Sequence, residues 1–235
     1  MSELVRSERR DAVSTLVMDD GRMNVQSAAM LEALGAALDR AQADGTVVVL
    51  TGREGVFSAG FDLAVFQKGT KAEQVRMLTL GARITERLLS FPAPVVVACN
   101  GHAIAMGAFL VLSADIRLGV SDLPCKIMTN EVAIGLTVPR FATEVCRQRL
   151  APSWFNRALI TAEPYDAAKA ATAGFLDELV PAADLAAKAH ETALALSKLS
   201  REHHTATKLR ARAPALAALR RAIEEDIAEW NARMA

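Results

Sequence analysis

Val95-Val96-Val97-Ala98-Cys99-Asn100-Gly101-His102-Ala103-Ile104-Ala105-Met106-Gly107 is the stretch that decides how this chain folds. Its first five residues are apolar without interruption. That is the pattern of a strand covered on both faces, which belongs to a parallel sheet flanked by helices. Phe91-Pro92-Ala93-Pro94 ends the element before it, because proline has no amide donor and disfavours a helical residue ahead of it. Small residues then lead into Ala108 to Leu112, which reads as a short helix.

The same alternation recurs upstream. Thr46 to Thr51 (TVVVLT) is a second strand of the buried type, and Ala12 to Met18 is an earlier one, closed by the turn Asp19-Asp20-Gly21. Ser27 is placed to cap a helix running to about Ala43, with Met30, Leu31, Leu34 and Leu38 on one face. A longer helix spans about Lys71 to Ser90 and carries Val75, Leu78, Ile84, Leu88 and Leu89. Downstream, Ile116 to Val120 reads as a strand. From Pro139 onward the pattern is nearly all helical, apart from a short strand near Leu176 to Val180, and it closes with an alanine-rich helix from Pro214 to Ala235. No internal repeat or linker is visible. The pattern predicts an α/β fold with a helical C-terminal third.

Composition narrows the function. A chain of 235 residues can hold one domain with a full core, and 51% hydrophobic with 23% charged residues is the balance of an ordered globular protein. Lysine plus arginine and aspartate plus glutamate both count 27, so no net field recruits nucleic acid or an anionic membrane. Met1 to Asp11 lack the apolar core of a signal peptide, and no run approaches the roughly 18 apolar residues that span a bilayer. Cys99, Cys125 and Cys146 are odd in number and lack metal-ligand spacing. They read as buried, reduced thiols of a cytoplasmic protein. His102, His190, His203 and His204 form no ligand cluster, so no metal is expected.

Chemistry is expected in the two loops that follow buried strands. In Gly52 to Asp62, the small residues Ser58, Ala59 and Gly60 let backbone approach a ligand closely, and Asp62 is placed to cap the next helix. Asn100 to Gly107 runs into a helix whose first amides lack partners and lie at the positive end of the dipole. One N–H from each loop, aimed at one oxygen, would make an oxyanion hole. Each loop is equally readable as a tight turn, and spacing alone does not bring them together. Neither G-x-G-x-x-G nor G-x-x-x-x-G-K-[ST] occurs, so the dinucleotide and P-loop readings fail.

Four segments, in order and in register from about residue 13 to residue 185, resemble the crotonase (enoyl-CoA hydratase/isomerase) superfamily. Phe57-Ser58-Ala59-Gly60-Phe61-Asp62-Leu63 is similar to its F-x-A-G-x-D-[IL] segment. Pro94 to Gly101, followed by Gly107, resembles its strand and glycine loop, and Asp115-Ile116-Arg117 resembles the C-D-[IY]-R that comes next. Asn130-Glu131-Val132-Ala133-Ile134-Gly135-Leu136-Thr137-Val138-Pro139 resembles [PN]-E-x-x-x-G-x-x-P.

The resemblance implies a spiral of ββα units over residues 1–185 holding the acyl-CoA site, and a helical region, 186–235, that helps build a homotrimer or hexamer. It implies an acyl-CoA thioester substrate, with coenzyme A part of the substrate and no separate cofactor. The thioester oxygen would accept hydrogen bonds from the N–H groups of Phe61 and Met106. Ser58, Ala59, Gly60 and Gly107 would surround it. Phe66 and Phe109, with Met77 and Leu80, are expected to shape the acyl pocket, and Arg22 and Met23 to lie along the CoA arm. Lys208, Arg210 and Arg212 are either contacts for CoA phosphates or a solvated basic helix face.

Hydrating members of the family carry two glutamates. Here the first of those positions holds Phe109, and the second keeps its carboxylate, Glu131. One carboxylate can take a proton from C2 of a 3-enoyl thioester and return it to C4. Asn130-Glu131 with an apolar residue at 109 resembles the Δ3,Δ2-enoyl-CoA isomerases, whereas dienoyl-CoA isomerases carry an aspartate where Ala133 stands. An apolar surround would raise the pKa of Glu131. Other crotonase reactions stay open (hydration, thioester hydrolysis, decarboxylation), as does an acyl-CoA-binding protein without turnover. Ala105-Met106-Gly107 replaces the usual triple glycine, so Met106 is expected to be strained if its position needs a positive φ. The remaining polar residues have bland readings: His102 faces solvent, Asp62 and Asp115 fix loops, and Glu144 and Glu163 are rival carboxylates.

Overall fold

The computed structural model describes residues 3–232. The chain opens with a hairpin, β1 (Val5–Arg10) and β2 (Val13–Met18), then β3 (Val25–Gln26) and α1 (Ala28–Asp44). Next come β4 (Val47–Gly52), β5 (Gly55–Ser58), β6 (Gly60–Phe61), α2 (Leu63–Lys68) and α3 (Lys71–Ser90). The next units are β7 (Val95–Cys99), β8 (Gly101–Ile104) and α4 (Met106–Leu112), then β9 (Ile116–Val120) and β10 (Ile127–Met128). A 3-10 turn at Val132–Ile134 leads into α5 (Arg140–Arg149), α6 (Pro152–Thr161), α7 (Ala167–Ala173) and β11 (Glu178–Val180). The chain finishes in α8 (Ala182–Leu196), α9 (Arg201–Ala211) and α10 (Ala213–Ala232).

Two sheets grow in parallel as the chain spirals. The larger runs β1-β2-β4-β7-β9-β11, antiparallel only between β1 and β2, and the smaller runs β10-β8-β5, parallel throughout. Each of β4, β7 and β9 joins the large sheet, and the strand directly after it joins the small one. This is the ββα repeat that the resemblance implies. Val95 to Cys99 is buried at every position, as a strand covered on both faces must be. Its helical cover is α8, whose Ala189 and Ala193 are fully buried and let backbone approach backbone.

The elements end where local chemistry directs. Ser27 accepts the Met30 amide to start α1, and Thr70 with Glu73 forms a capping box on α3. Strand β1 has no counterpart in the sequence reading. Only Val5 of its six residues is buried, so the hydrophobic signal is missing, and its charged residues guard the sheet edge. The two-residue strands β3, β6 and β10 are likewise too short to show a period.

Below the sheet lies a buried ionic cluster. Asp115 Oδ2 accepts the Val95 amide at 2.7 Å, and the Val95 carbonyl accepts the Asp115 amide at 2.8 Å, tying β9 to β7. Lys208 and Arg212 then close on the same carboxylate at 2.7 and 2.8 Å. This corrects the expectation for the basic segment. Lys208 is 7% exposed, so it is neither a solvated face nor free for CoA phosphates, and Arg212 is occupied by Asp115 and the Leu89 carbonyl. Of the three, Arg210 alone is exposed.

The C-terminal helices fold back onto the body. Helix α10 lies along α3 and α5. All three cysteines are buried and free. Among the described residues no helix is long and apolar enough to cross a membrane, and no group of three His, Cys, Asp or Glu gathers as a metal cage.

Candidate active site

The small sheet delivers the site. Its three parallel strands end on one edge, and the segments leaving that edge are Ser58–Phe61 after β5, Ala105–Met106 after β8, and Asn130–Glu131 after β10. Carboxyl ends of parallel strands are where open α/β sheets place ligands. The Ala105 amide donates to the Met128 carbonyl at 2.9 Å, which binds the second of these segments to the third.

The first two loops, left separate by spacing alone, touch. A Cβ on Gly60 (φ 94°) would stand 2.8 Å from the Ile104 carbonyl oxygen, and one on Gly107 would stand 2.6 Å from the Ser58 carbonyl oxygen. Only bare backbone fits at both places. A Cβ on Gly81 of α3 would meet the Phe61 ring at 2.6 Å and Met106 Sδ at 3.2 Å. Both side chains therefore pack against α3 at Gly81.

The strain expected at Met106 falls one residue earlier. Ala105 adopts φ 50°, ψ −118°, a conformation that costs an L residue on the order of 1–3 kcal/mol. It is held there from both sides, by its amide on Met128 and by its carbonyl, which accepts the Phe109 amide at 3.1 Å. The bend makes Met106 the first residue of α4. In that position an amide has no acceptor within its own helix.

A cleft of about 290 Å³ opens over these segments. Ala59, Phe61 and Ala105 form its floor, and Leu63 and Phe66 of α2, with Lys71, Gln74, Val75 and Leu78 of α3, form one side. Asn130, Glu131, Ile134, Leu136, Thr137 and Pro139 form the other side, and Trp230 of α10 completes the lining. Glu131 is the sole carboxylate among the described residues that line it. It is 6% exposed, makes no ion pair, and its Oε2 has no hydrogen-bond partner among the described residues. Burial pushes its pKa up to about 7, against a smaller downward pull from the amides of Glu131 and Asn130. Such a group exchanges a proton readily near neutral pH.

A buried polar chain braces the first loop. Asn24 Nδ2 donates to the carbonyls of Met18, Val56 and Phe57 at 2.9–3.3 Å. Gln26 Nε2 donates to Ser58 Oγ at 3.0 Å, and Ser58 Oγ donates to the Asn24 carbonyl at 2.7 Å while accepting the Gly60 amide at 3.2 Å. Gln26 pairs in register with Phe61 across β3 and β6. Ser58 thus points into the protein and fixes the loop, with its hydroxyl fully used.

The other expected residues fall as follows. Ala59, Phe61 and Phe66 line the cleft. Gly60 and Gly107 are buried where the loops meet. Arg22 and Met23 are exposed, and the Met23 carbonyl accepts the Ala59 amide at 3.0 Å, so their turn lies beside the first loop. Phe109 and Met77 are fully buried and do not line the cleft, and Leu80 packs against the core, which corrects their expected place on the acyl pocket. His102 is half-buried, and its Nδ1 accepts the Lys126 amide at 2.9 Å. Asp62 caps α2 through the Ala64 amide. Glu144 pairs with Arg147, and Glu163 with Arg157 and Lys169.

A family model for enoyl-CoA hydratase/isomerase matches residues 8–233. The chain belongs to the enoyl-CoA hydratase/isomerase family. Solved members lie close to it. A family protein from Pseudomonas syringae is 41% identical, with 95% of this chain and 96% of that one covered at a TM-score of 0.92. A Mycobacterium tuberculosis protein, called an enoyl-CoA isomerase in its apo structure and a probable enoyl-CoA hydratase in another, is 41% identical over 97% and 100% of the two chains in the former, also at 0.92. An enoyl-CoA hydratase from Mycobacterium marinum is 42% identical over 97% and 99%, at 0.91. Relatives of equal similarity thus carry both names, and the family is settled at the level of hydratase/isomerase.

Gln74, Asn130 as a lining residue, Trp230 and Gln26 were not selected from sequence. Gln26 and Trp230 carry no local motif. Gln74 is an ordinary polar position on an amphipathic helix, and its contact with the cleft depends on α2 folding against α3.

Proposed function

We propose that this chain is a Δ3,Δ2-enoyl-CoA isomerase in which Glu131 carries the proton. The observation that carries the reading is a cleft in which Glu131 is the one carboxylate among the described lining residues, buried without an ion pair among them. Burial therefore pushes its pKa up to about 7. The acyl-CoA thioester sits with its carbonyl oxygen between the N–H groups of Phe61 and Met106. Glu131 takes a proton from C2 of the 3-enoyl chain, and the C–H electron pair moves toward the thioester, leaving a dienolate whose oxygen the two amides stabilise. Glu131, now protonated, returns the proton to C4, and the double bond settles between C2 and C3. Each amide in such a pair is worth about 10²–10³ in rate.

Hydration is the competing reading, since most of the similar proteins bear that name. Water addition needs a second group to position and activate water, and the equivalent place holds Phe109, buried against Phe141. The deciding assay presents wild type and Glu131→Gln with a medium-chain 3-enoyl-CoA and, separately, a 2-enoyl-CoA. Conjugation of the first substrate by wild type alone, without hydration of the second, is expected. Hydration of the 2-enoyl substrate, or full activity in Glu131→Gln, overturns the reading.

A further inference from the structure

Helix α10 brings one side chain into the cleft. Trp230 shares its lining with Val75 and Leu78 of α3 and with Leu136 and Pro139 beyond Glu131. Its ring stands edge-on to Phe141 at 6.5 Å, and Phe141 stands edge-on to the fully buried Phe109 at 6.0 Å. The indole is therefore backed by a column of rings that runs into the core.

The helix is also anchored. Helix α5 begins after Pro139, which offers no side-chain cap, so its first amides need an acceptor from elsewhere. Asp226, 2% exposed, supplies it, accepting the Arg140 amide at 3.1 Å and the Phe141 amide at 2.8 Å. The Arg140 guanidinium adds contacts to Asp226 at 3.2 Å and to Glu229. Asp226 and Trp230 are four residues apart, on one face of α10. The anchor that caps α5 thus fixes the indole over the cleft.

We infer that Trp230 is a specificity-determining residue, a wall of the acyl pocket that limits chain length, with Asp226 positioning it. Val75, Leu78, Leu136 and Pro139 give that lining an apolar stretch, as an alkyl chain requires, beside the polar Lys71, Gln74 and Thr137. This inference rests on the acyl-CoA reading of the cleft.

The test is calorimetric binding of saturated acyl-CoAs, which cannot be conjugated. Butanoyl-, octanoyl-, dodecanoyl- and hexadecanoyl-CoA are titrated into wild type, Trp230→Ala and Trp230→Phe. In wild type the affinity rises by about fourfold per added methylene until the chain end meets the indole, and then stops rising. In Trp230→Ala the rise continues to longer chains, and Trp230→Phe falls between the two. The same stopping length in all three proteins overturns the inference, and so does a uniform loss at every length, which a purely structural role would produce. If removing the indole unfolds the alanine variant, the phenylalanine variant decides, because a ring remains to pack on Phe141. A wild type that binds the esters with an unmoved length limit sinks only this inference. A wild type that binds none of them sinks the acyl-CoA reading with it.

Discussion

At one end of the parallel strands a carboxylate is buried alone, and at the other a carboxylate is buried among cations. Glu131 leaves the carboxyl end of β10 with no counter-ion among the described residues, and burial drives its pKa up to about 7. Asp115 precedes β9 and holds Lys208, Arg212 and the Val95 amide. Burial acts on Lys208 more strongly than Asp115 does, pushing it down to about 8. The two regions use one physical fact in opposite ways. Removing a charge from water is expensive. A carboxylate left uncompensated is held toward its protonated form up to near neutral pH, while compensated charges become a brace that fixes the helix in place.

The largest expected effect is on the lone carboxylate. Glu131→Gln should lower the rate of double-bond migration by about 10²–10⁴ while the protein stays folded, as steady-state assays and circular dichroism would check. Equal activity would place the proton carrier elsewhere and dissolve the contrast.

Breaking the brace should act on stability. Asp115→Ala leaves Lys208 buried without its anion and should destabilise by about 3–5 kcal/mol, read as a lower urea midpoint. An unfolding free energy within about 1 kcal/mol of wild type, as for a surface pair, would show that the cluster contributes little.

The pH dependence separates the regions further. The folded-state pKa of Glu131 lies above its ordinary value of 4.5, so its contribution to stability is full below pH 4.5 and is lost as pH rises through about 7. The loss should amount to about 3 kcal/mol and be missing in Glu131→Gln, which urea titrations across that window would measure. Catalysis should run the other way, with kcat/KM rising through about pH 7 as the base ionises. A flat difference between wild type and Glu131→Gln would mean that the carboxylate is better solvated than its burial implies.

The smallest effect is expected at the brace of the first loop. Ser58→Ala removes the hydroxyl that joins Gln26, Asn24 and Gly60, and should lower kcat by roughly fivefold, about 1 kcal/mol, with KM little changed. A change in KM alone would place Ser58 in substrate binding instead.

Much of this was legible in the residues. The buried strands, the capped helices α1 and α3 and the two functional loops all carry local signals, namely continuous apolar runs, an N-cap at Ser27 and clustered small residues. Glu131 could be singled out because Phe109 removes its partner from the motif. What escaped has no local period. β1 is charged at four of its six positions, and the strands of the small sheet are two to four residues long. Asp226 and Trp230 look like any acidic and aromatic residues of an amphipathic helix.

By itself, then, the order of residues determined the long strands and helices, the backbone stretches bare enough to meet, and the lone carboxylate of the fourth motif. The tertiary structure alone decided which of them share a space. It placed Ser58 inward and Ala59 outward, moved the strain from Met106 to Ala105, buried Lys208 on Asp115 and set Trp230 over the cleft. The reason is range: propensity and capping act within a turn or two of chain, whereas desolvation and packing depend on neighbours a hundred residues away.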